Sequence, residues 1–277
     1  MSWLIVLLVL CGALLHASWN ALIKSGRDQQ LDTALIHSLG CGIGVVLVVA
    51  VGFPRAEALP WLAVSLVIHI GYYITLVGAY RHGDLGFAYP IMRGTAPLLV
   101  AVLGIAVLHE MPSPHALLGI LLICTGIVSI AFVRRGRHSR AAAGWAFTNA
   151  CVIAAYTLVD GSGARASGNP IAYVTWLITI EGLPFIAWIL WRGRRTATAY
   201  LGRSWRRGLL GGAASLGAYG IVLFAMTRAP VAAVAALRET SVLFAALIGA
   251  LWLKEGFGAM RLAGAASVAV GIAALKL

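Results

Sequence analysis

The chain has 277 residues, 61% of them hydrophobic and only 11% charged, with a formal net charge of +12. A soluble domain carries about 25% charged residues, so there is too little polar surface here to coat a water-soluble globule. The excess basic residues sit in the gaps between apolar runs, as in "RRGRHSR" at 134–140, which is the pattern of cytoplasmic loops and excludes a nucleic-acid-binding domain.

Runs of about 20 apolar residues, the length a bilayer requires, recur from end to end. In chain order they predict ten helices, at 2–23, 34–53, 59–79, 85–108, 115–133, 143–160, 171–191, 208–226, 230–253 and 258–275. The expected fold class is an all-α polytopic membrane protein. Span 1 has no Lys or Arg before Lys24, which favours a retained helix over a cleaved secretory signal. It carries Gly12, His16, Asn20 and Lys24 at steps of four, a polar stripe on an apolar helix that is expected to line the interior. Span 3 contributes His69, Tyr72 and Tyr73, and span 4 adds Tyr89 and Arg93, with Arg93 bracketed by Pro90 and Pro97. Proline removes a backbone donor, so span 4 is expected to bend. Span 7 holds Trp176 and Glu181, and span 9 holds Arg238 and Glu239 with proline only at its start, Pro230. With span 6 ending at 160, Glu181 and Glu239 are the acids well inside spans. Cys11, Cys41, Cys124 and Cys151 each lie alone in apolar stretches and read as small hydrophobes, with no metal spacing and no cofactor implied.

Sliding the chain by 145 residues lays "IMRGTAPLLVAVLGIAVLHE" (91–110) on "ALRETSVLFAALIGALWLKE" (236–255). Arg93 then meets Arg238, Thr95 meets Thr240, Gly104 meets Gly249 and Glu110 meets Glu255, and downstream Gly119 falls on Gly264 and Gly126 on Gly271. One register for so many residue types indicates duplication, with halves at 1–140 and 141–277. Five spans per half is an odd number, so the second half enters the membrane the other way up, as in many secondary transporters, with a central cavity between the halves. The paired glycines are expected to form a packing seam between spans 5 and 10, or else a dimer surface. Fifteen of the 21 Lys and Arg fall on the side of the loops after spans 1, 3, 5, 7 and 9, and four fall on the other side. That bias places both termini outside a cell (inner) membrane.

The arginine-bearing spans, the acidic ends "LHE" (108–110) and "LKEG" (253–256), and the helices with paired glycines together resemble the EamA-type halves of the drug/metabolite transporter superfamily. "HASWNALIK" (16–24), "GDLGFAYPIMRGTAPLLVA" (83–101) and "ALRETSVLFAALIG" (236–249) look closest to a branch associated with phosphonate utilisation. The resemblance implies ten helices around a central cavity and small metabolites, such as amino acids, as substrates. Many members have basic residues before span 1 and cytoplasmic termini, and this chain's charge bias runs the opposite way.

An arginine near mid-bilayer costs at least about 2.5–3.5 kcal/mol, so Arg93 and Arg238 should face a wet cavity or a partner. Each lies about 6 Å from the centre of its span, and inversion would set them on opposite sides of the midplane, ~12 Å apart. Guanidinium suits carboxylate, phosphate or phosphonate. The candidate substrate-binding residues are therefore Arg93, Arg238, Glu239, Glu181, His16, Asn20, Tyr72, Tyr73, Tyr89 and Trp176. Both arginines have a structural reading too, as ties to Glu239, Glu181 or backbone carbonyls. Glu239 adjoins Arg238 but points about 100° away on a continuous helix, which favours a partner on another span. Glu181 and Glu239 would also serve proton coupling. His16, His37 and His69 lie on three helices, and nothing in the sequence brings them together as a metal site. The function expected is secondary transport of a small anionic or zwitterionic metabolite, by a monomer or homodimer in the lipid bilayer. The alternatives are a proton-coupled exporter of cationic drugs or amines and a lipid flippase; no catalytic motif suggests an enzyme.

Overall fold

The computed structural model describes residues 1–26, 28–83, 85–132, 139–192, 194–251 and 259–276. Its helices are α1 (Trp3–Lys24), α2 (Gln29–Val51), α3 (Leu59–His82), α4 (Leu85–Leu108), α5 (Pro114–Ala131), α6 (Arg140–Ala166), α7 (Pro170–Arg192), α8 (Arg194–Met226), α9 (Val231–Arg238), α10 (Ser241–Leu251) and α11 (Ala259–Lys276). Among the described residues, nine helical stretches are long and apolar enough to cross a membrane, and Ala263–Lys276 is a shorter apolar helix. The surface is correspondingly apolar: Val49 is 88% exposed, whereas Glu239 is 0% exposed. Charge inside and bare valine outside is the arrangement of a chain solvated by lipid. The protein is a multi-pass membrane protein.

Local chemistry sets the helix ends, and several differ from the sequence expectation. Asp28 accepts from the amides of Gln30 and Leu31 and starts α2 five residues earlier than hydropathy alone suggests. Ser139 caps α6 in the same way through Ala142 N, and α6 then runs on to Ala166 instead of stopping at 160. Its stop is the Gly168–Asn169–Pro170 turn, where Gly168 takes a φ of 67° and Asn169 Oδ1 accepts from Ile171 N and Ala172 N. The basic stretch before 208, read from the sequence as a connection, is the first part of the 33-residue α8.

Helix pairing follows an exchange pattern between the halves. α3 packs on α6 as α1 packs on α8, and α4 packs on α6 as α9 and α10 pack on α1, while α2 meets α7, α4 meets α9 and α5 meets α11. The α5–α11 contact is the glycine seam. A Cβ on Gly119 would sit 2.7 Å from Gly271 O and one on Gly271 2.8 Å from Gly119 O; Gly126 and Gly264 are related in the same way at 2.9 and 2.8 Å. Only hydrogen at these positions lets the two backbones approach so closely. Among the described residues the pattern is uneven where α8 lies along both α2 and α7, whereas α3 meets α7 at few residues.

Span 4 is one continuous helix despite Pro90 and Pro97 inside it, and span 9 is the divided one. This reverses the expectation drawn from proline placement. The break between α9 and α10 is a tight turn in which Glu239 N, Thr240 N, Val242 N and Leu243 N donate to carbonyls three residues back. The Thr240 hydroxyl returns to Leu237 O at 2.7 Å, competing with the helical ladder for that carbonyl.

Candidate functional site

The break in span 9 places its charged residues. Glu239 caps α9 with φ −69° and ψ −11°, and its carboxylate sits between two guanidinium groups. Arg93 Nε on α4 lies 2.6 Å from Glu239 Oε2. Arg238 holds the other oxygen, Oε1, through Nη2 at 3.1 Å and Nε at 3.2 Å. The two arginines therefore converge on one carboxylate and do not stand ~12 Å apart across the midplane. Glu239 finds the partner on another span that the sequence suggested, and at the end of a helix turn it also reaches its neighbour Arg238. All three side chains are buried, Arg93 at 6% exposure, Arg238 at 4% and Glu239 at 0%. Two permanent positive charges face one negative charge, leaving a surplus positive charge in the bundle core.

Around this triad the side chains close into a ring of contacts. Arg93 Nη2 lies 3.4 Å from His16 Nε2; guanidinium only donates, so the imidazole nitrogen accepts. His16 meets Trp19, Trp19 meets His37, and His37 stacks on Phe185 with centroids 4.4 Å apart. Phe185 meets Tyr73, Tyr73 meets Tyr72, and Tyr72 meets Tyr156. Arg238 lies over the Tyr156 ring at 6.0 Å, and Arg93 over Tyr89 at 5.9 Å. His16, Trp19, His37, Tyr72, Tyr73, Tyr89 and Phe185 are only half-buried although each packs against other helices. Such a ring offers π faces and hydroxyls beside a fixed positive charge.

Glu181 joins from α7, its Oε1 3.1 Å from His69 Nδ1, and His69 stacks on Tyr156 with centroids 4.5 Å apart. Of the residues singled out in the sequence, Arg93, Arg238, Glu239, His16, Tyr72, Tyr73, Tyr89 and Glu181 thus belong to one connected network. Two stand apart. Asn20 bonds back to His16 O within its own helix at 2.7 Å. Trp176 donates to Gly52 O at 3.0 Å and stacks on Phe53, anchoring α7 to the end of α2. The three histidines do not converge: each of His16, His37 and His69 has a different partner, and no metal-type cluster occurs among the described residues.

The sequence reading missed Asp160, Tyr156, Tyr173 and Tyr219. Asp160 is fully buried and accepts from Tyr173 OH at 3.0 Å and, in a shorter contact, from Tyr219 OH. It lies inside a membrane span because α6 continues to Ala166, so Glu181 and Glu239 are not the only acids within spans. The run "YTLVDGSGARA" stays helical to Ala166 although it contains two glycines, a serine and an aspartate.

At one end of the bundle Glu110 pairs with Arg165 at 2.6 Å and accepts from Val231 N, the first amide of α9, at 2.8 Å. Arg165 also donates to Met226 O and Ala229 O. The repeat-matched Glu255, together with Trp252, Lys254, Arg27, Arg134, Arg135 and Arg137, lies outside the described residues.

The model of the EamA-like transporter family matches the chain twice, over residues 3–132 and 140–276. A solved structure described as the crystal structure of a protein aligns with a TM-score of 0.73 and 16% identity, covering 98% of this chain and 94% of that chain; the two share a fold. No curated protein matches the sequence.

Proposed function

The chain belongs to the EamA-like transporter family, and on that premise we propose that it is a secondary transporter of a small anionic or zwitterionic metabolite, amino-acid-like or phosphonate-like. The carrying observation is the surplus guanidinium charge: Arg93 and Arg238 share the single carboxylate of Glu239. A carboxylate, phosphate or phosphonate on the substrate would complete that charge and use the planar fork. The start of α10 adds the positive end of a half-helix, and Ser241 Oγ there is buried with no hydrogen-bond partner among the described residues. Tyr72, Tyr73 and the Glu181–His69 pair lie elsewhere on the same ring and suit the ammonium end of a zwitterion.

The transport cycle is alternating access of two inverted five-helix halves. The exchanged helix pairings and the reciprocal glycine contacts support that reading, because a two-fold relation makes residue i meet j' wherever j meets i'. The chain sits in a cell inner membrane with both termini outside, following the bias of its basic loops.

Transport into liposomes tests the assignment. Arg93→Lys and Arg238→Lys keep the charge and lose the fork, and each is expected to lower uptake about tenfold or more, the scale of one charge-assisted hydrogen bond. Arg93→Ala and Arg238→Ala proteins that still fold should lose transport altogether. Full activity in all four would reject the cavity role. A thermal-shift screen against amino acids, phosphonates, organic phosphates and amines identifies the ligand charge. Stabilisation by amines alone would instead favour an amine exporter working through Glu181.

A further inference from the structure

Asp160 differs from the other buried acids in what it faces. Glu239 lies between two guanidinium groups, Asp32 and the half-buried Glu110 each lie against one, and Glu181 lies against the His69 imidazole, but no ion pair among the described residues includes Asp160. Its two oxygens face phenols, Tyr173 on α7 and Tyr219 on α8. Neutral partners of this kind fit both forms of the acid. Ionised, the carboxylate accepts from both hydroxyls; protonated, it donates to one tyrosine oxygen and still accepts from the other. A carboxylate gripped by arginine has no such second arrangement.

The site is also close to the charge triad. Tyr219 is bonded to Asp160, and Tyr156, one helix turn before Asp160 on α6, lies under Arg238 at 6.0 Å. The ionisable and polar groups facing Asp160 from the packed helices are Tyr173 and, farther off, Glu181 on α7 and Tyr219 on α8. Beyond Tyr173 lies Ser65 on α3, one helix turn from His69. On the far side of Tyr156 come Arg238, then Glu239, then Arg93 of α4. With the Glu181–His69 pair neutral overall, Arg93, Arg238, Glu239 and an ionised Asp160 sum to zero charge. An added substrate anion would leave an excess negative charge in low dielectric, and one proton on Asp160 restores neutrality.

We propose that Asp160 is the proton-carrying carboxyl of the transport cycle, and that ionised Asp160 and the substrate anion compete to compensate the same surplus guanidinium charge, so that proton and anion bind together. The step is a simple protonation, carboxylate plus proton giving carboxylic acid. The co-binding half rests on the anion reading above, and the proton site does not.

Infrared difference spectroscopy of the protein in lipid, in H2O and D2O across a pH series and with no substrate added, reads the carboxyl directly. Wild type is expected to show a protonated-carboxyl band that Asp160→Asn lacks. Arg238→Gln, which removes a nearby opposite charge, is expected to change how that band responds to pH. Identical spectra from wild type and Asp160→Asn would overturn the proton site. A band whose titration ignores Arg238→Gln would overturn the coupling. Should Asp160→Asn fail to fold, Tyr219→Phe keeps the acid and removes one donor; a displaced band supports the assignment, and an unmoved one refutes it. Because no ligand is present, failure here leaves the anion reading standing. Conversely, a titrating band in a protein stabilised by amines alone would sink the anion reading and leave the proton site.

Discussion

Glu239 carries more electrostatic weight than any other side chain in the described core, since Arg93 and Arg238 both depend on it. Removing one partner of a buried ion pair costs about 3–5 kcal/mol because the other charge is left uncompensated. Glu239→Gln is therefore expected to destabilise the protein by about that amount, read as a lower thermal midpoint in detergent; an unchanged midpoint would mean that water already compensates both arginines. The arginines were legible in the sequence because a permanent charge inside an apolar run has few explanations. Their meeting on one carboxylate was not, because it depends on a break in span 9 that Arg238-Glu239-Thr240 does not advertise. Asp160 was hidden by its setting: "DGSG" has the composition of a loop, although in the structure it continues a helix. Trp176 was misplaced for another reason, because depth along a span says nothing about which side of the helix a ring faces.

At the scale of elements, the glycine seam and the divided span behave differently under substitution. Gly119→Ala or Gly264→Ala would drive a Cβ to within 2.7–2.8 Å of a backbone carbonyl on the opposing helix. Backbone cannot step aside cheaply, so each is expected to cost about 1–3 kcal/mol. Gly42→Ala is the control: a Cβ there meets nothing within 4 Å, and helix propensity predicts a gain of up to about 1 kcal/mol. Thermal midpoints of the three variants should separate accordingly, and equal losses would argue that the seam is not a close contact. Arg165→Ala removes the side chain that joins Glu110 to the carbonyls of Met226 and Ala229. The connection before α9 should then exchange its amide hydrogens faster while the α5–α11 seam stays protected, and uniform protection across both would contradict the assignment. Nine membrane-length helical stretches among the described residues were readable from hydropathy, and the division of span 9 was not. Helix ends were not, wherever a side-chain cap such as Asp28 or Ser139 extended the helix into polar sequence.

For the whole molecule, the 145-residue repeat carried most of the architecture, because a duplicated half brings its packing partners with it. The exchanged pairings of α1 with α8 and α3 with α6 are what such a duplication produces. What one sequence could not reveal is the unevenness, with α8 held along both α2 and α7 while α3 barely touches α7. The halves differ in sequence as well, with Glu239 of the second standing where the first has Gly94, so the repeat alone does not dictate equal packing.

The shared carboxylate also imposes an order on biosynthesis. Arg93 enters the bilayer with span 4, but Glu239, the acid that neutralises it, is synthesised 146 residues later. Until then the nascent first half holds an unmatched cation at a cost of at least about 2.5–3.5 kcal/mol. A fragment of residues 1–140 made alone should be degraded rapidly in cells, and co-production of 141–277 should rescue it, with Glu239→Gln in the second fragment abolishing the rescue. Pulse–chase lifetimes of the first fragment give the answer.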